Sequence, residues 1–229
     1  MKLLSIDTNA KTIKGQQKGF MTGILYLAPS DQSGVMNTCP FATKGCREAC
    51  LYTAGRGAFD NVKQARINKT LWLARDKDGF IAQLVKDIHA LIRKANRENM
   101  TPCVRLNGTS DLPVETWGIM EQFPDVQFYD YTKNPKRMIS NLAGEMPKNY
   151  SLTFSRAETP ANQKHAQIVL DRGGNVAAVF ANDLPKKHGK TRVINGDESD
   201  LRFTDPKGVI VGLKAKGKAR KDTSGFVIA

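Results

Sequence analysis

"RLNGTSD", residues 105–111, changes character partway along. It completes the apolar run "CVRL" (103–106) and then turns at once into Asn-Gly-Thr-Ser-Asp. A short apolar run closed by Asn, Gly and Ser reads as a strand with its end marked. The same event recurs in "YDYTKNP" (129–135), "TFSRAE" (153–158) and "INGDESD" (194–200). Helical patterns separate most of these runs, and strand–helix alternation indicates a mainly parallel sheet with right-handed crossovers. Segments that follow parallel strands share one end of the sheet, and in (β/α) barrels that rim carries the active site. Four polar clusters on one rim predict an α/β fold, a partial or closed (β/α) barrel of mainly parallel strands.

The rest of the chain fits this scheme. Strands are expected over 23–27, 103–106, 126–131, 151–154, 176–180, 192–194 and 209–213, with one more at 226–228. Helices are expected over 60–75, 80–97, near 115–122, over 135–142 and over 161–172. In the second helix Phe80, Leu84, Ile88, Leu91 and Ile92 fall at helical spacing. The last helix stops at Gly173-Gly174, a C-terminal cap signal. Neither a repeat nor a low-complexity linker interrupts the 229 residues, so one domain over 1–229 is expected.

Composition narrows the partners. No apolar run is long enough to span a bilayer. The leading "MKLLSIDTNAKTIKG" lacks the apolar core and cleavage site of a signal peptide, so a cytoplasmic protein without a membrane partner is expected. There are 35 Lys and Arg against 22 Asp and Glu, a net charge of +13. Such an excess favours polyanions, nucleic acid above all, although a basic surface also serves solubility alone. The densest patches are 133–137, 186–192 and 214–221. In the segment 212–229, Lys214, Lys216 and Lys218 alternate with small residues. They are candidate nucleic-acid contacts, or else charges that discourage edge pairing.

"NTCPFATKGCREACLYTAGRGAF", residues 37–59, holds three of the four cysteines: Cys39, Cys46 and Cys50, spaced C-x6-C-x3-C. Disulfides rarely persist in the cytosol, so clustered thiols there point to metal or redox chemistry. Three thiolates hold three irons of a four-iron cluster and leave the fourth iron open. Structural zinc takes four protein ligands and would need Cys103 or a histidine as the fourth. Cys103 lies near the start of its strand, opposite the rim. His89 sits in a helix, and neither His165 nor His188 has supporting spacing. The remaining alternative is three reduced, buried cysteines. Tyr52 follows the last thiol closely and would pack over a cofactor or in the core. Gly55-Arg56-Gly57 precedes a helix and would receive an anion, or form a plain turn.

The rim supplies further candidates. Asn107, Thr109, Ser110 and Asp111 suit an amino group or a ribose, although Asp111 before Leu-Pro also reads as a helix cap. Asp130 and Lys133 close the next strand, and Ser155, Arg156 and Glu158 the one after. Asp197 and Asp200 read first as strand terminators.

Taken together, "KGCREACLY", "NGTSDLP", "YTKNPKRM" and "SLTFSRAE" resemble radical-SAM-like phage and bacterial proteins. The fuller series, from the CP-AT-GC loop through RLNGTSD and FYDYTKNP to the closing VGLKAKGKA, resembles the phage "gene product eighty-eight" family. The likeness covers most of the chain, with wider cysteine spacing than the radical-SAM triplet C-x3-C-x2-C. It implies a [4Fe-4S] cluster on Cys39, Cys46 and Cys50. It also implies S-adenosylmethionine on the open iron, near Tyr52, Arg56, Asn107, Ser110, Asp111, Asp130, Lys133, Ser155 and Glu158. A phage-encoded enzyme acting on nucleic acid or a nucleotide in the host cytoplasm would follow. Two other classes stand beside it. One is a non-catalytic nucleic-acid-binding protein with a structural Fe–S or zinc site. The other is a metal-dependent nuclease using Asp111, Asp130, Glu158 or Asp197.

Overall fold

The computed structural model describes residues 1–6 and 10–229. The chain opens with strand β1 (Leu4–Ile6), helix α1 (Ala10–Gln16) and strand β2 (Phe20–Leu25). The cysteine loop holds one short helix, α2 (Lys44–Glu48), and leads into α3 (Asp60–Arg75) and α4 (Lys77–Arg97). Then follow β3 (Thr101–Arg105), β4 (Gln127–Thr132), α5 (Pro135–Leu142), β5 (Tyr150–Ser155), α6 (Pro160–Asp171) and β6 (Val176–Phe180). The chain closes with β7 (Lys187–His188), β8 (Thr191–Asn195), β9 (Ile210–Lys214) and β10 (Val227–Ile228).

Local chemistry sets the helix ends. Asp76 separates α3 from α4, and its carboxylate accepts the Gly79 amide at 2.9 Å as an N-cap. Asn134 and Thr159 cap α5 and α6, each followed by a proline in the first turn. The polar residues that end β4 and β5 in sequence therefore start the next helices. On α4, Phe80, Leu84, Ile88, Leu91 and Ala95 form the buried stripe that packs in the main core with Met21, Leu25, Val104 and Phe128.

Among the described residues ten strands join one sheet, ordered β1-β2-β3-β4-β5-β6-β9-β8-β7, with β10 set beside β6. It is mixed but mostly parallel. Among the described residues only β1 on β2 and β7 on β8 run antiparallel. β5 pairs only with the start of β6, at Val176 and Ala177. β10 takes over that edge at Val179 and Phe180, so the chain's last strand lies where β5 has ended. On the face away from α4, Cys103 and Tyr129 pack against Leu201, Phe20 and Phe203. The segment after β8 thus crosses back over β3 and β4, where Asp200 pairs with Arg105 at 2.6 Å. The sheet order ends at β1 on one side and β7 on the other. Lys11 of α1 reaches Asp197 at 2.9 Å, which ties the β2 side of the sheet to the loop after β8.

Several expectations need correction. The first strand, expected over 23–27, is β2 and begins three residues earlier, at Phe20. β1, α1 and β7 lie outside the expected elements. The helix near 115–122 is two separate 3-10 turns, Val114–Trp117 and Met120–Gln122. Gly118 between them takes the left-handed conformation, φ 67°, which an α-helix cannot continue through. Among the described residues no helix is long and apolar enough to cross a membrane.

Candidate functional site

The loops that follow β2, β3, β4 and β5 share one end of the sheet, because these strands are parallel. The loop after β2 carries the cysteines, and neighbouring loops hold it at two points. At the first, the Asp111 amide donates to the Thr38 carbonyl at 2.8 Å, and the Cys39 thiol donates to the Thr109 carbonyl at 3.6 Å. At the second, Glu158, just beyond β5, accepts the Thr43 hydroxyl at 2.7 Å and the Gly45 amide at 2.8 Å. Thr43 is the N-cap of α2, and its hydroxyl oxygen accepts the Cys46 amide at 3.2 Å. Glu158 therefore fixes the turn that presents Cys46. Burial pushes its carboxyl up, but the hydrogen bonds from Thr43 and Gly45 outweigh this and hold it below its usual value.

The three loop thiols lie in one electrostatic neighbourhood. Burial pushes the Cys39 thiol up, opposed by the Ser30 amide and the Thr38 hydroxyl, with Cys46 adding to the rise. Burial pushes Cys50 up to about 11; the Tyr52 amide opposes this, Cys46 and Cys39 add to it, and Lys133 draws it down. Cys103 is set apart within β3, on the face of the sheet away from α4. Its thiol, pushed up to about 12 by burial, meets the Thr22 hydroxyl at 3.1 Å and feels Asp200. Cys39, Cys46 and Cys50 thus share the loop after β2, and Cys103 lies in β3. Among the described residues no group of three or more His, Cys, Asp or Glu is placed to hold a metal ion.

Most rim candidates are tied into the structure. Asp130 is buried, accepts the Asn107 amide at 2.8 Å and the Tyr150 hydroxyl at 3.1 Å, and is pushed up to about 6 by burial. The Asn107 side chain is used within its own turn. Its oxygen accepts from the Ser110 hydroxyl at 2.8 Å and the Leu112 amide at 2.9 Å, and its nitrogen donates to the Leu112 carbonyl at 3.0 Å. Asp111 accepts from Arg137 at 2.7 Å and from the Lys133 amide at 2.8 Å. It joins two loops rather than capping a helix. Arg137 also forks onto Glu115, at 2.8 and 2.6 Å, and donates to Tyr150 at 3.0 Å. The Lys133 ammonium donates to the Ser155 hydroxyl at 2.5 Å, stands 5.3 Å from the Phe226 ring and lies in the field of Cys50.

Gly108 lies where this rim touches β2. A Cβ there would stand 2.7 Å from the Leu25 carbonyl oxygen and 2.6 Å from Ile24. Gly108→Ala is therefore expected to cost about 1–3 kcal/mol of stability by overpacking. Urea unfolding checks this, and an unchanged midpoint would mean that the 107–111 turn moves off β2 at no cost.

Tyr52 is half-buried and Arg56 is exposed. In the basic segment, Lys214 pairs with Asp183 and Lys216 with Asp197, both at 2.7 Å. Residues Gly217–Lys221 form a 3-10 turn whose Ala219 packs with Ala49, Ala157 and Phe226, against the cysteine loop. Lys218, Arg220 and Lys221 are exposed there. Sequence reasoning missed Thr43, Glu115, Arg137, Tyr150 and Arg66. Only Thr43 had a local signal, an N-cap residue directly before "KGCRE".

The family model described as Gene product 88 matches residues 2–229, and the chain belongs to that family. No curated protein and no solved structure matches it.

Proposed function

We propose that this member of the gene product 88 family is an iron–sulfur protein. Its cysteine loop would hold a [4Fe-4S] cluster over the C-terminal rim of a partial (β/α) barrel, for a radical-SAM-like reaction on nucleic acid or a nucleotide. The observation that supports this reading is the placement of three cysteines in one rim loop anchored by Glu158 and the 109–111 turn, with Cys103 packed apart from them beside Tyr129 and Leu201. Cys39, Cys46 and Cys50 would hold the cluster, which requires the loop to contract on loading. When bound, the cluster supplies one-electron chemistry. Lys133 and Ser155 offer a cation and a hydroxyl beside it for the carboxylate or ribose of S-adenosylmethionine.

The nuclease reading finds little support. Asp111, Asp130 and Glu158 are committed to the bonds above, and Asp197 accepts from Lys11, Lys216 and the Lys214 amide. Zinc would need a fourth ligand, and Cys103 is buried in β3 against Tyr129 and Leu201. Anaerobic reduction of the loaded protein with S-adenosylmethionine tests the reading. Release of deoxyadenosine is expected. A loaded protein that leaves S-adenosylmethionine intact but binds nucleic acid would make the cluster structural and the chain a binding protein.

The net charge of +13 supports a polyanionic partner. The ion pairs of Lys214 and Lys216 shift the expected interface toward Lys218, Arg220 and Lys221. Replacing these three by glutamine should weaken nucleic-acid binding. It should also flatten the log–log salt dependence by about 0.9 for each duplex phosphate no longer neutralised, or about 0.7 for each single-strand phosphate. An unchanged slope would remove this strip as the polyanion-binding surface.

A further inference from the structure

Large apolar side chains are exposed mainly in one part of the chain. Among the described residues six are exposed: Met1, Ile13, Val35, Phe41, Leu51 and Phe59. The last four all fall in the loop after β2. The chain has ten phenylalanines, and only Phe41 and Phe59 stand in solvent, 44% and 59% exposed. A single exposed apolar side chain needs no explanation, but a concentration of them marks an interaction surface.

Each of the two rings is mounted on a turn beside an arginine. Phe41 lies in the turn closed by the Ala42 amide on the Cys39 carbonyl at 3.0 Å, and Arg47 donates to the Ala42 carbonyl at 2.9 Å. Phe59 ends the turn Gly55–Ala58, and its amide donates to the Arg56 carbonyl at 3.3 Å. Both arginines are exposed. The carboxylates of Asp60 and Glu48 are met by lysines, Lys63 at 2.9 Å and Lys44 at 4.0 Å. Among the described residues Arg47 and Arg56 form no ion pair with them. The basic turn Gly217–Lys221 continues the surface. A Cβ on Gly217 would stand 2.9 Å from that of Ala54, and Ala219 packs with Ala49. Lys218, Arg220 and Lys221 therefore border the segment that carries Leu51 and Phe59.

Separately mounted rings among cations suit a strand whose bases are unpaired. The rings offer flat faces to bases, and the arginines offer planar charge to phosphates. In a duplex the base faces are hidden within the stack, so the phenylalanines would have nothing to meet. A membrane surface is typically met by a long amphipathic helix, and the α-helix inside this loop has only five residues.

We propose that the loop after β2 binds single-stranded nucleic acid. Phe41 and Phe59 each stack an unpaired base, Arg47 and Arg56 hold adjoining phosphates, and the turn Gly217–Lys221 carries the strand onward. This rests on the polyanion reading above and is independent of whether the cysteines carry a cluster.

Fluorescence anisotropy of labelled oligothymidylate and oligouridylate, each alone and annealed to its complement, tests this in the full chain. Wild type is expected to bind a single strand more tightly than the duplex at equal salt. Phe41→Leu and Phe59→Leu should each weaken single-strand binding about 5- to 150-fold, the usual loss of one stacked base. Both should leave duplex binding and the urea midpoint unchanged. Phe41→Tyr and Phe59→Tyr should keep the affinity, because the ring is what the base meets. Arg47→Gln and Arg56→Gln should each lower affinity and flatten the log–log salt dependence by about 0.7. Leucine variants with wild-type single-strand affinity would overturn the inference, and the polyanion reading would stand if glutamines at 218, 220 and 221 still weaken binding. Leucine variants that lose single strand and duplex alike, or tyrosine variants as weak as the leucine ones, would overturn it equally. Binding of wild type to phosphatidylserine vesicles but to neither oligonucleotide would assign the patch to a membrane surface and overturn it. A wild type that binds no nucleic acid in either form would bring down the polyanion reading, and the inference with it.

Discussion

Replacing Arg137 by methionine is expected to lower the unfolding free energy by about 3–5 kcal/mol, the usual cost of leaving buried charges without their partner. The guanidinium is 6% exposed, and Asp111 and Glu115 are each 11% exposed. It forks onto Glu115, holds Asp111 and donates to Tyr150, whose hydroxyl in turn donates to the buried Asp130. Methionine leaves two carboxylates facing each other in a poorly solvated space. Glu115→Gln in the Arg137→Met background should recover part of the loss, because one of the stranded charges is removed. Urea unfolding at neutral pH measures both effects. A loss below about 1 kcal/mol would mean that the triad behaves like a surface ion pair.

This triad also stiffens the rim. Asp111 bonds Arg137 with one oxygen and the Lys133 amide with the other, while its own amide holds the Thr38 carbonyl beside Cys39. A single residue thus connects the turn after β3, the loop after β4 and the start of the cysteine loop. Glu158 plays the corresponding part from β5 by clamping Thr43 and Gly45. Two rim carboxylates that resemble catalytic candidates in sequence are therefore fasteners of the thiol loop.

What is legible from sequence follows local rules. α3, α5 and β6 begin and end where their patterns do; for α5 the cap Asn134 and the proline of its first turn mark the start. The polar ends of β3, β4 and β5 read as one rim, since parallel strands leave no other placement. β1 and α1 carry too little signal. β1 has only three residues, and α1, "AKTIKGQ", has a glycine inside it and no acidic residue in its first turn. The 114–122 segment carries a helical pattern, but Gly118 breaks it. The roles of the charged residues are illegible because they depend on distant pairing. Arg105 and Asp200 are 95 residues apart, and Arg137 and Asp111 are 26 apart. Nothing in "QARINK" separates Arg66 from an ordinary helix-surface arginine; only the fold turns it under Gly57 and over Tyr26.

The second large effect concerns the thiols themselves. An open cluster site with three ligands loses its metal when any one ligand is removed, because no other donor stands ready nearby. Cys103, hydrogen-bonded to Thr22 and packed with Tyr129 and Leu201, is held within β3. The decisive measurement is iron and acid-labile sulfide per chain after anaerobic reconstitution of wild type and of four single variants, Cys39→Ala, Cys46→Ala, Cys50→Ala and Cys103→Ala. The expected result is about four irons and four sulfides in wild type and Cys103→Ala, with near-complete loss in each of the other three. Equal loss in Cys103→Ala, or a wild type that retains zinc in place of iron and sulfide, would contradict the account.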